Sequence, residues 1–201
     1  MNFKIPSTRL LAIGLFITTL AGIGCGGGGG DGDSGNYTGL WRHGMQLVVN
    51  DCQLSNAEQS ISGEFTVAQD GNNVVVNMGS LTLSGEKNDK DGFAVGTRTE
   101  AAGCAVVLAL GLTNASDGNA DAVRAIAIQC RTNGPVCTVG HTGSATRSGK
   151  SVFNSTDLSL EDELTSLLGS SGKSRIGGEP LPENKSLNEY AEEVLEQMIQ
   201  E

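Results

Sequence analysis

Between Tyr37 and Lys150 apolar residues recur at every second position in short runs, and turn dipeptides separate the runs. A two-residue apolar period sends alternate side chains to opposite faces, which describes a half-buried β-strand and excludes an amphipathic helix. Ile61, Phe65 and Val67 form one such run, Asp70-Gly71 turns it, and Val74, Val76 and Met78 return. Leu81 and Leu83 lead through residues 88–92 to Phe93, Val95 and Thr97. Val106, Leu108, Leu110 and Leu112 alternate with the small residues Ala105, Ala109 and Gly111, Asp117-Gly118 turns the chain, and Ile126 and Ile128 follow. With Leu40 to Asn50 in front and Val136 to Arg147 behind, the count is eight strands. Almost every connection is of hairpin length, so neighbours in sequence pair in space. The prediction is a mainly β fold, an eight-stranded antiparallel meander closing into a small up-and-down barrel, because closure removes the exposed edges. Aromatic residues make up 4% of the chain, which suits a packed interior better than a wide pocket.

The rest of the chain flanks this domain. Lys4 and Arg9 precede Leu10 to Ile23, a run without ionisable groups. That is the charge and hydropathy pattern of a secretory signal, and it is shorter than the ~20 apolar residues of a transmembrane helix. Ala21, Gly22 and Gly24 stand before Cys25, and five glycines follow it. This stretch resembles the lipobox of bacterial lipoproteins, with Gly22 where that family usually has leucine. The resemblance implies removal of residues 1–24, lipidation of Cys25 with palmitate or a similar acyl group, and a covalent membrane anchor. Gly26, rather than an aspartate, directly after the cysteine implies the outer membrane of a Gram-negative envelope. Residues 25–36 then form a flexible tether, residues 37–150 the β domain and residues 151–201 an acidic tail.

Charge excludes one class of partner. The whole chain carries -10; the tail alone has 11 acidic and 3 basic residues. Nucleic acid is not expected, since phosphate binding requires clustered lysine and arginine. Within the tail, Leu160, Leu164, Leu167 and Leu168 predict a helix near 160–168. Ser186 and Glu189 form a capping box before Leu187, Tyr190, Val194, Leu195, Met198 and Ile199, which share one face of a helix over 187–200. This stripe must be covered, by the barrel, by a second copy or by a groove on a partner, and the linker of Gly, Ser and Pro before it favours an envelope protein partner.

Four cysteines remain: Cys52, Cys104, Cys130 and Cys137. A meander puts all four at one barrel end. Cys104 and Cys130 are equidistant from Asp117, which favours Cys104 with Cys130 and Cys52 with Cys137; the alternative joins Cys130 with Cys137 and Cys52 with Cys104. Without tight C-x-x-C pairs, no metal or cofactor is expected. His43 and His141 sit in no catalytic motif and are expected as solvated strand histidines, so the chain is not expected to be an enzyme, an envelope hydrolase being the lesser alternative.

The β domain carries a second resemblance. Tyr37-Thr38-Gly39-Leu40-Trp41 is similar to the G-x-W opening motif of lipocalin-like (calycin) barrels, and Arg147 is similar to the basic residue that covers the tryptophan there. The resemblance implies that Trp41 and Arg147 close one barrel end through a cation–π contact, and it suggests a carrier of a small hydrophobic ligand as the alternative to a binding or envelope-structural module.

Overall fold

The computed structural model describes residues 35–54, 57–88, 91–131, 134–148, 179–182 and 184–200. Its strands are β1 (Gly39–Asn50), β2 (Ser60–Asp70), β3 (Asn73–Met78), β4 (Leu81–Asn88), β5 (Gly92–Ala101), β6 (Cys104–Ser116), β7 (Asn119–Gln129) and β8 (Pro135–Ser148). Each pairs antiparallel with the next, and β1 pairs with β8, so the meander closes into a barrel. A two-residue strand, β9 (Glu179–Pro180), pairs with the start of β8, and the helix α1 (Leu187–Gln200) follows.

Register determines how steeply the strands run. Leu47 pairs with His141, and the registered partners continue through Arg124, Leu110, Val95, Gly85 and Val74 to Gln69. The Gln69 side-chain oxygen accepts from the Tyr37 amide at 2.9 Å, and extending the Gly39–Val67 pairing by two residues puts Tyr37 opposite Gln69. The walk therefore returns to the first strand displaced from 47 to 37, ten residues. A stagger of this size in eight strands goes with a tilt of about 40° and an interior just wide enough for side chains or one small ligand.

That interior is filled mostly by apolar groups. Trp41, Met45, Phe65, Leu83, Phe93, Leu108, Leu110, Leu112, Ile126 and Ile128 are all fully buried, as the two-residue alternation predicts. The loop between β1 and β2 folds over one mouth: Cys52 and Ala57 are buried with the core, and Leu47 donates its amide to the Gln59 carbonyl at 2.9 Å.

Hairpin turns carry the required backbone. Asp117 and Gly118, at φ 49° and 78°, make the left-handed pair that matches strand twist, as expected of Asp-Gly. The β5–β6 turn has the same form at Ala102 (φ 50°) and Gly103 (φ 75°), although alanine has a Cβ that disfavours this region. Replacing Ala102 by asparagine or glycine is expected to raise stability by about 1 kcal/mol. Chemical denaturation of the two variants checks it.

Candidate functional site

The helix α1 accounts for a residue pattern in the barrel wall. Several outward positions on β6, β7 and β8 are small, and Ala109, Gly111, Ala125, Ala127 and Gly140, with Val107, Val123 and Val136 among them, form a shallow floor on which the helix lies. A methyl group added at Gly140 would stand 2.7 Å from the Met198 Cε, and one at Gly111 would stand 3.2 Å from Ile199 Cδ1. Leu187, Ala191, Leu195 and Met198 are buried against this floor, with Tyr190, Val194 and Ile199 packed at its edges. The apolar stripe that the sequence reserves for a partner is thus occupied by the barrel's own outer wall. Bulky residues would hold the helix away; small ones let its backbone approach.

The helix start is built as the capping box requires. The Ser186 amide donates to a Glu189 carboxylate oxygen at 2.6 Å, and the Glu189 amide donates to Ser186 Oγ at 3.2 Å. Hydrogen bonding from Ser186, its backbone amide first and then its side chain, holds the Glu189 carboxyl below its usual range. Glu192 moves the other way. Burial, then the neighbouring Glu189 and Glu196 charges, push it up to about 7. A carboxyl raised in the folded state binds a proton there that the unfolded chain has lost, so stability is fully present near pH 4 and declines as pH rises to about 7. With the exposed part of Glu192 screened by solvent, the loss is about 1 kcal/mol or less. Glu192→Gln is expected to flatten the stability profile between pH 4.5 and 7.5, as read by melting in a pH series.

At the barrel end where the chain enters from residues 35 and 36, Trp41 and Arg147 are registered cross-strand partners. The guanidinium carbon lies 5.5 Å from the Trp41 ring centroid, and Arg147 Nη2 donates to the Asn36 carbonyl. Trp41 is 1% exposed and donates Nε1 to the Tyr37 carbonyl at 2.8 Å. Lys87 caps the Tyr37 ring beside it, 5.7 Å from the centroid. Burial, then the Asp91 charge, raises the Tyr37 phenol above its ordinary value. Two basic residues on two aromatics thus plug this end.

The disulfides lie at the other end. Cys52 bonds Cys137 and Cys104 bonds Cys130, with Cα separations of 4.9 and 3.8 Å. Each joins strand positions already opposite one another: Cys104 continues the Ala105–Gln129 pairing, and Cys52 continues the Asn50–Val139 pairing of the seam that closes the barrel. Cys25 and the helix expected near 160–168 lie outside the described residues.

The feature that sequence reading missed is inside. Following register around the barrel, the inward strand positions of β1 to β8 include His43, Lys87, Arg124, His141 and Arg147, and among the described residues none of these positions holds Asp or Glu. In a chain of net charge -10, the described inward strand positions that carry a charge are thus basic. Arg124 and His141 are registered neighbours on β7 and β8, 4% and 2% exposed. His141 Nε2 lies 2.9 Å from the Glu58 carbonyl of the mouth loop; since a carbonyl can only accept, Nε2 carries a proton. The His43 ring stacks on Phe65, centroids 5.9 Å apart. The histidines are therefore not the solvated strand residues expected: their odd numbers share the inward phase of Trp41 and Met45, and of Cys137 and Val139, so the lumen takes them up. The same phase test places Arg124 with Ile126 and Ile128, and would have found it from sequence.

Among the described residues no group of three or more His, Cys, Asp or Glu is arranged to hold a metal ion. Comparison with protein-family models, with curated proteins and with solved structures finds no match to this chain.

Proposed function

We propose that the chain is a lipid-anchored outer-membrane lipoprotein whose barrel serves as a non-catalytic binding or envelope-structural module. The observation that carries this reading is the pair of in-register disulfides. Both form wherever the barrel has folded in an oxidising compartment, and such bridges persist outside the cytosol. The apolar run ending at Cys25 supplies the matching export signal and acylation site. Two or more acyl chains would anchor the protein stably, at about 0.8 kcal/mol per buried CH₂.

The reading also gives the domain an orientation. Gly35 and Asn36 are held beside Gln69 and Arg147, so a tether from Cys25 reaches the barrel at its Trp41 end. The disulfide-stapled loops would then face away from the membrane, where a partner in the envelope can meet them. Any partner of α1 would meet its exposed Glu193 and Glu196 rather than the stripe packed on the barrel. Replacing Cys25 by serine is expected to abolish palmitate incorporation and membrane partitioning while leaving both disulfides in place. Palmitate still entering the Cys25→Ser protein contradicts the anchor.

A second reading, a small-ligand carrier, is favoured by one observation, the buried Arg124–His141 pair in the lumen.

A further inference from the structure

We infer that the Cys104–Cys130 bridge is a thiol–disulfide exchange site, opened at Cys130 by a dithiol redox protein while Cys52–Cys137 stays closed. The inference goes beyond the lipoprotein reading and takes from it only the compartment in which such a protein is met.

The two bridges differ in access. Cys52 and Cys137 are 0% exposed and Cys104 is 1% exposed, so three of the four bridged cysteines are sealed in the core. Cys130 is half-buried: it stands one residue beyond the end of β7 and packs at the core's margin. Exchange requires a thiolate to reach one sulfur of the bridge, so Cys130 is the point of attack and Cys104 the leaving group. The exposed Arg131 follows Cys130 directly and puts a positive charge on the same connection. Attacking and departing sulfurs are both anionic, and a neighbouring cation favours thiolates.

The step balances with the dithiol alone. Its thiolate bonds to Cys130 Sγ as the bond between Cys130 and Cys104 breaks, and the electron pair leaves on Cys104 Sγ, which takes up a proton. The redox protein's second thiolate then attacks its own bonded sulfur, and Cys130 departs as a thiolate that is protonated in turn. The bridge is reduced to two thiols and the dithiol is oxidised to a disulfide.

The barrel is built to survive this step. The Ala101–Cys104 and Ala105–Gln129 pairings hold the strand ends without the bridge, and the turn at Asp117 and Gly118 closes the same hairpin at its far end. The seam between β1 and β8 keeps its own bridge. What is loosened is the connection from Cys130 to Gly134, whose Gly134 amide donates to the Arg131 carbonyl at 2.8 Å and whose Gly134 carbonyl accepts from Gln129 Nε2 at 3.2 Å. That connection leads into Pro135 and Val136, on which β9 is seated. At rest in an oxidising compartment both bridges are closed.

The experiment treats the folded, disulfide-intact full chain with N-ethylmaleimide to block any free thiol, then with dithiothreitol without denaturant. Samples are quenched over time with iodoacetamide, and the labels are mapped by peptide mass. Labels at Cys104 and Cys130 are expected to appear together, faster than those at Cys52 and Cys137 by about tenfold or more. A second arm adds a thioredoxin-type protein whose second active-site cysteine is replaced by serine, which traps the mixed disulfide; the trap is expected on Cys130. Four labels arriving at one rate would show that reduction follows global unfolding, and would overturn the inference. Earlier labels at Cys52 or Cys137, a trap on Cys104, or no trapped species overturn it as well. Failure here leaves the Cys25 anchor standing, since palmitate labelling in cells measures it separately.

Discussion

Replacing Cys52 and Cys137 together by alanine is expected to lower stability by about 4 to 5 kcal/mol, and replacing Cys104 and Cys130 by about 3 to 4. The difference comes from the loops the bridges close, which span 85 and 26 residues; a longer loop removes more freedom from the unfolded chain. The first bridge also lies on the seam where β1 meets β8, next to the register shift between Leu47 and Val49. Each kcal/mol corresponds to roughly 2–4 °C in a domain of this size, so loss of the seam bridge is expected to lower the melting temperature by about 10 °C or more. Paired-alanine variants melted side by side check both magnitude and order. Equal losses would show that the seam gains nothing from the longer loop.

The second large effect concerns α1. Leu195→Ala is expected to cost about 3 kcal/mol, because a buried leucine loses its transfer energy and leaves a cavity between helix and wall. A drop of roughly 6–12 °C in melting temperature follows. Glu193→Ala, on the exposed face, is expected to change stability by no more than about 0.5 kcal/mol. A Leu195→Ala protein melting within 1 °C of the unsubstituted chain would mean that the helix does not depend on the barrel and that its stripe is free for another protein.

The strands were legible because their signal is local. Apolar residues at every second position, bounded by Asp70-Gly71 and Asp117-Gly118, determine strand, turn and neighbour together, and the symmetry of Cys104 and Cys130 about Asp117 then determines a bridge. The capping box at Ser186 and Glu189 is equally local. What stayed hidden depends on contacts distant in sequence. Ala109 and Gly111 read only as the small alternates of a strand; their meaning as a floor emerges when Leu195 and Ile199, more than eighty residues on, lie across them. Strand β9 has two residues and no period of its own. Arg124 and His141 are not legible from their polarity, which suggests solvent, whereas strand phase decides which face a side chain takes. The placement of Trp41 under Arg147, implied only by three residues of resemblance, depends on β1 and β8 meeting, which closure supplies.

The claim on which the account rests is that this barrel is an exported, acylated and doubly bridged protein. Intact mass of the protein isolated from cells, measured after alkylation with and without prior reduction, tests it most directly. The account predicts a chain beginning at Cys25 and carrying acyl mass there, with no alkylated thiol before reduction and four after. A chain retaining residues 1–24, or one alkylated at Cys52, Cys104, Cys130 or Cys137 without reduction, would contradict it.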